Sequence, residues 1–266
     1  MIDTEEVNSE SPHLDQRVAF LSGVARSGTT AAVYLLNKHP EVAFGIERYK
    51  FIFLREKNPT SDLFGRDRFF AFDPNETNIL PEASDQFTNQ YAALQEKFDS
   101  VAVVGDKIPN LATRYREIIE LFPDVRIVHM VREPTAVARS WERRAQNSED
   151  DWSANADAAN GIHRWILENK TALHFRRDFP DNILMVSYEG LFSDDPRTLN
   201  LIFKFLEVGP PTPHQHDVRR AGAERTAGKK FAELGEQPDY VDDDKWAQIE
   251  DLMPRLQRHV RPKPKS

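Results

Sequence analysis

Short unbroken apolar runs recur along the chain, and segments with apolar residues at helical spacing separate them. Val18-Ala19-Phe20-Leu21, Val42-Ala43-Phe44, Val101-Ala102-Val103-Val104, Val125 through Val131 and Ile183-Leu184-Met185-Val186 read as buried strands. Thr29 to Lys38, Ser84 to Phe98, Leu111 to Leu121, Pro134 to Arg144, Ala154 to Arg177, Pro196 to Leu206 and Asp244 to His259 read as helices. Pro40 ends the first helix. Pro134 suits the first turn of another, since it lacks only an N–H that would be free there. Glu47 to Glu82 is irregular, rich in Phe and Arg and broken by Pro59 and Pro74, and Val208 to Asp244 reads as loop. Continuous apolar strands alternating with helices predict a three-layer α/β/α fold with a central parallel sheet. Ligands of such sheets gather at the carboxyl ends of the strands. One domain over residues 17–260 is expected, between a disordered tail at 1–16 and a frayed tail at 261–266.

Composition narrows the class. The 266 residues are 39% hydrophobic and 29% charged, as expected for a water-soluble globular protein. A formal net charge of −8 argues against nonspecific binding to nucleic acid or to acidic membranes, which select basic surfaces. The chain has no cysteine, so disulfides, thiol nucleophiles and thiolate metal sites are excluded. No stretch approaches the roughly 20 apolar residues of a membrane span, and the polar start has no signal-peptide pattern. The expected compartment is the cytoplasm. Nothing in the composition speaks to oligomeric state.

The candidate chemistry starts at the end of the first strand. Gly23-Val24-Ala25-Arg26-Ser27-Gly28-Thr29-Thr30 opens directly into a helix. Such a turn aims several backbone N–H groups at one point, and the helix dipole reinforces them as an anion site. The spacing is that of a P-loop, but Thr29 stands where a nucleotide triphosphatase carries its Lys. A second turn of the same design is expected at Arg132, between the fourth strand and the helix opened by Pro134. An Arg fork suits a terminal phosphate there.

Gly23 to Thr30, followed by Leu35, Leu36, His39-Pro40 and Glu47, resembles the PAPS-dependent sulfotransferases, closest to the tyrosylprotein sulfotransferase and related bacterial branch. PAPS is 3′-phosphoadenosine 5′-phosphosulfate. Gly105-Asp106-Lys107-Ile108-Pro109, Val131-Arg132-Glu133-Pro134 with Ser140, Ser187-Tyr188-Glu189 with Leu191, and Phe205-Leu206 resemble further stations of that family, over residues 18–208. The resemblance implies a P-loop-type fold and transfer of a sulfuryl group from PAPS to an acceptor hydroxyl, without a metal. It implies that Arg26, Ser27, Gly28, Thr29 and Thr30 hold the 5′-phosphosulfate, Arg132 and Ser140 the 3′-phosphate, and Lys229, within the basic segment Arg225 to Lys230, the closing loop. Arg26 and Lys107 would stabilise transferring charge. Glu47 matches the position of the catalytic base, a role that burial would support by raising its pKa.

Alternatives attach to several of these residues. Glu47 could be a surface carboxylate paired with Arg48. His129, the rival base, lies inside an apolar strand and reads as a core histidine. Asp106 could be a metal ligand of a P-loop kinase or hydrolase using Mg-ATP, but a structural acceptor is favoured. A nucleotide-binding protein without turnover is the third reading. The aromatic residues Tyr49, Phe51, Phe53, Phe64, Phe69 and Phe70, with Trp152 and Trp165, either line an acceptor pocket or pack a cap onto the sheet. The acceptor is an hydroxylated small molecule, lipid or glycan.

Overall fold

The computed structural model describes residues 16–55, 59–149, 153, 155–226, 231 and 234–260, with the side chains of 225 and 226 not described. In chain order the elements are β1 (Arg17–Gly23), α1 (Thr29–Leu36), β2 (Val42–Ile46), α2 (Lys50–Leu54), α3 (Arg66–Phe70), α4 (Asp85–Lys97), β3 (Val103–Lys107), α5 (Tyr115–Leu121), β4 (Arg126–Val131), α6 (Pro134–Ala145), α7 (Ala158–Asp178), β5 (Ile183–Ser187), α8 (Tyr188–Leu191), α9 (Arg197–Leu206), α10 (Pro213–Thr226) and α11 (Asp243–Val260). The strands form one sheet of order β2-β3-β1-β4-β5, every pairing parallel. No helix among the described residues is long and apolar enough to cross a membrane.

Strand alternation makes the two apolar layers. Val18 and Phe20 of β1 face a cluster built with Tyr91 and Leu94 of α4, Tyr115 of α5, Trp141 of α6, Trp165 of α7 and Leu252 of α11. Ala19 and Leu21 face the other side, against Ala32 and Leu36 of α1, Leu191 of α8 and Ile202 and Phe203 of α9. Because β1 is buried on both faces, its sequence runs continuously apolar from Val18 to Leu21.

Two expectations needed correction. The third strand lies at Val103–Lys107, two to three residues beyond the apolar run Val101–Val104. Its polar end continues the ladder because Asp106 and Lys107 both find partners inside the molecule. Gly105 is required there, since a side chain on it would meet the backbone oxygen of Ala19 in the neighbouring strand. The segment expected as loop over Val208 to Asp244 contains α10. Buried polar anchors hold that helix: Gln215 Nε2 donates to the Leu35 carbonyl at 3.0 Å, and Arg219 donates to the Ser193 carbonyl. Such anchors leave no apolar stripe to read.

Candidate active site

The site begins where β1 stops. Gly23, at φ 142°, passes so close to β4 that any Cβ would collide with the Met130 carbonyl. Arg26 (φ 76°) and Gly28 (φ 87°) are left-handed, turning the loop into the start of α1, which no described side chain caps. A Cβ on Gly28 would strike the ring of Tyr188 from α8. Beside this loop, Arg26 Nε donates to Ser140 Oγ at 3.1 Å, and Arg132 Nη1 donates to the Arg26 carbonyl at 3.1 Å. The Arg132 guanidinium stacks 4.4 Å from the Tyr188 ring centroid. Thus Arg26, Ser140 and Arg132 meet, although they come from three different segments.

The turn after β4 differs from expectation. Glu133 folds its own carboxylate onto the start of α6: Oε1 accepts from Thr135 N at 2.8 Å and Oε2 from Ala136 N at 2.7 Å. The N-terminus of α6 is therefore occupied by an internal anion, and what this turn offers a ligand is the Arg132 side chain.

Glu47 follows β2 at φ 54°. Its carboxylate takes one lysine on each oxygen, Lys107 on Oε1 at 2.7 Å and Lys50 on Oε2 at 2.6 Å. Burial pushes the Glu47 carboxyl up, but the two ammonium charges outweigh it and hold the group below the ordinary carboxylate range, opposite to the direction expected. Arg48 is not its partner. That buried guanidinium donates to the carbonyls of Phe69, Arg68 and Ala71 and to Glu76.

Asp106 is fully buried and accepts from Arg48 N at 3.1 Å and Tyr49 N at 2.8 Å. Burial pushes its carboxyl up to about 7 against those two hydrogen bonds and the nearby cations. It is the structural acceptor that the sequence favoured. His129 is likewise a core residue, between Tyr115 Oη at 2.7 Å and Asn169 Oδ1 at 3.2 Å, and burial lowers its pKa to about 4. With both ring nitrogens engaged inside the core, His129 has no free nitrogen to offer an acceptor hydroxyl.

A model of the Sulfotransferase family matches residues 19–211, from within β1 to beyond α9. The chain belongs to that family. It is an enzyme of the sulfotransferase class, and its family implies sulfuryl transfer. Among solved structures, the sulfotransferase domain from the curacin biosynthetic pathway is similar over 94% of each chain, at 20% identity and a TM-score of 0.52. Sulfotransferase STF9 from Mycobacterium avium is similar over 95% of this chain and 79% of its own, at 13% identity and a TM-score of 0.53. These likenesses show the fold. No curated protein matches in sequence.

Two residues that support this site, Asn110 and Trp141, carried no role in the sequence reading, and a third, Trp165, was read only as a pocket or cap aromatic. Asn110 props the loop after β1, its Oδ1 accepting from Ala25 N at 3.1 Å while its own N–H reaches the Gly23 carbonyl at 2.9 Å. The Pro109-Asn110 pair was the available signal, since Asn tolerates the left-handed backbone it adopts here (φ 58°). Trp141 Nε1 donates to the Ala25 carbonyl, and Trp165 Nε1 to the Arg132 carbonyl, each at 2.8 Å. The aromatic residues after Glu47 are mostly core: Tyr49, Phe53, Phe64 and Phe69 are buried against Phe20 and one another. They pack the cap rather than line an open pocket. Gly228, Lys229 and Lys230, the side chain of Arg225, and Trp152 lie outside the described residues.

Proposed function

We propose that this sulfotransferase moves a sulfuryl group from PAPS to an acceptor hydroxyl by in-line displacement, with Glu47 as the base. The observation that carries the reading is the meeting of Arg26, Ser140 and Arg132. It sets an open helix start and a guanidinium from a second strand side by side, as a donor with two separated phosphate groups requires. The fit is supported by two buried side-chain atoms with no partner among the described residues, Ser27 Oγ in the loop and Arg132 Nε beside it. A buried donor left unpaired is costly, and a phosphate oxygen would relieve that cost.

In this reading Arg26, Ser27, Gly28, Thr29 and Thr30 hold the 5′ end of the donor, and Arg132 with Ser140 the 3′-phosphate. PAPS supplies the sulfuryl group and leaves as 3′-phosphoadenosine 5′-phosphate. Lys107 and Arg26 neutralise charge as it develops, which is most of what a protein does for such transfers. Glu47, ionised at neutral pH, takes the proton released by the acceptor hydroxyl. The acceptor is an hydroxylated small molecule, lipid or glycan. A Mg-ATP kinase would want Asp106 on the metal, and both oxygens of that buried carboxylate are engaged by backbone N–H groups instead.

Calorimetric titration with 3′-phosphoadenosine 5′-phosphate and with Mg-ATP, on wild type and Arg132→Ala, tests this. Metal-independent binding of the bisphosphate that weakens at least tenfold in the variant is expected, since a hydrogen bond to a charged group contributes about 1.5–3 kcal/mol. Binding of Mg-ATP with none of the bisphosphate would overturn it.

A further inference from the structure

The two lysines on Glu47 are not equivalent. The Lys107 side chain, on β3, is 2% exposed, whereas that of Lys50, in the first turn of α2, is 29% exposed. Among the described residues they are the charged groups that face this carboxylate from the elements packed against it. Arg48 turns away to Glu76, and Asp106, next to Lys107, is spent on backbone N–H groups. The Glu47 backbone is also fixed, its N–H donating to the Lys107 carbonyl at 2.8 Å and its carbonyl accepting from Thr77 Oγ1 at 2.7 Å. What remains to be oriented is the side chain alone.

Under the proposed function Lys107 must serve two anions, the Glu47 carboxylate and the transferring group. One ammonium cannot neutralise both fully, so its hold on Oε1 weakens when charge builds on the donor side. Lys50 has no such second duty. We infer that Lys50 is the positioning residue of the base: it anchors Glu47 Oε2 throughout, so that Oε1, the oxygen shared with Lys107, is the atom that receives the proton. The inference rests on the reading of Glu47 as base. In the balanced step the acceptor O–H bond breaks and its proton passes to Oε1. The electron pair left on the acceptor oxygen forms the new S–O bond, and the bond from sulfur to the bridging phosphate oxygen breaks, its electrons leaving with the bisphosphate. With Lys50 in place the carboxylate cannot rotate to exchange its oxygens, and it stays ionised until the proton arrives.

The test compares wild type with Lys50→Met, Lys50→Arg and Glu47→Gln. In ligand-free protein labelled with ¹³C-glutamate, the Glu47 carboxyl signal is assigned by its loss in Glu47→Gln and titrated by NMR. Removing a cation from a carboxylate raises its pKa, so Lys50→Met moves that titration to higher pH and Lys50→Arg restores it. In turnover, Lys50→Met lowers kcat about 10- to 100-fold, the scale of a misplaced reacting group, and shifts its acid limb to higher pH. The affinity for 3′-phosphoadenosine 5′-phosphate stays unchanged, because Lys50 touches no donor-holding residue. A Glu47 titration at the wild-type pH in Lys50→Met, or an unchanged kcat, overturns the inference. If Glu47→Gln itself keeps full turnover, the reading of Glu47 as base fails instead, so the two failures are distinguishable.

Discussion

Two strand-to-helix turns lie side by side at the carboxyl end of the sheet, and they solve the same problem differently. After β1 the chain uses left-handed Arg26 and Gly28 to reach α1, and no described side chain caps that helix start, which is where an external anion would sit. After β4 it uses Glu133 to cap α6 internally, and projects Arg132 back across the first loop. Both turns carry a positive end, but only one leaves its backbone donors open. The lesson is that a helix start after a strand is an anion site only if the chain has not already supplied the anion. A carboxylate one residue before the helix is enough to decide it.

The sharpest way to break this comparison is Arg26→Ala. Removing a preorganised donor from the open turn should lower turnover 10²- to 10³-fold, about 3–4 kcal/mol, with little change in thermal midpoint because the side chain is exposed. An effect on the midpoint larger than that on turnover would make the open turn a scaffold rather than a site.

The strands beneath the turns differ as well, since β4 buries His129. Its folded-state pKa is depressed to about 4. The unfolded chain therefore binds the extra proton first, and stability falls as pH drops below about 6.5. Asp106 and Glu168, whose carboxyls burial pushes up to about 7, act in the opposite direction over the same range. The difference between wild type and His129→Gln isolates the histidine. Between pH 7 and pH 5 the wild type should lose about 2 kcal/mol more than the variant in urea unfolding. Parallel pH profiles would place the acid sensitivity elsewhere.

The smallest effect sharpens the contrast most. Glu133→Ala removes the internal cap of α6 and should cost about 1 kcal/mol of stability. Affinity for 3′-phosphoadenosine 5′-phosphate, followed by calorimetry, should hold or improve, because a negative charge has been taken from beside Arg132. A loss of affinity would show that Glu133 orders the bisphosphate site rather than merely closing the helix.

Much of this was legible along the chain. The apolar runs of β1, β2, β4 and β5 sit where the pattern put them, and Gly28, Arg26 and Lys107 were singled out from their spacing and family likeness. Gly105-Asp106-Lys107 was missed as strand because its polar residues are satisfied by Arg48, Tyr49 and Glu47. The first two are 58 and 57 residues away in sequence and the third is 60 away. The α10 helix was missed because Gln215 and Arg219 replace an apolar stripe.

The sequence by itself determined the layered parallel fold, the glycine turn between β1 and α1 and the family, because each depends on local order: apolar periodicity, glycines at fixed offsets and residues adjacent in the chain. Tertiary structure alone decided that Glu133 fills its own helix start, which backbone N–H groups Asp106 serves, and that Glu47 is drawn down by two lysines instead of raised by burial. The physical reason is that charge and hydrogen bonding act over a few ångströms through space. A carboxylate's fate is set by whichever donors the folded chain brings within that distance.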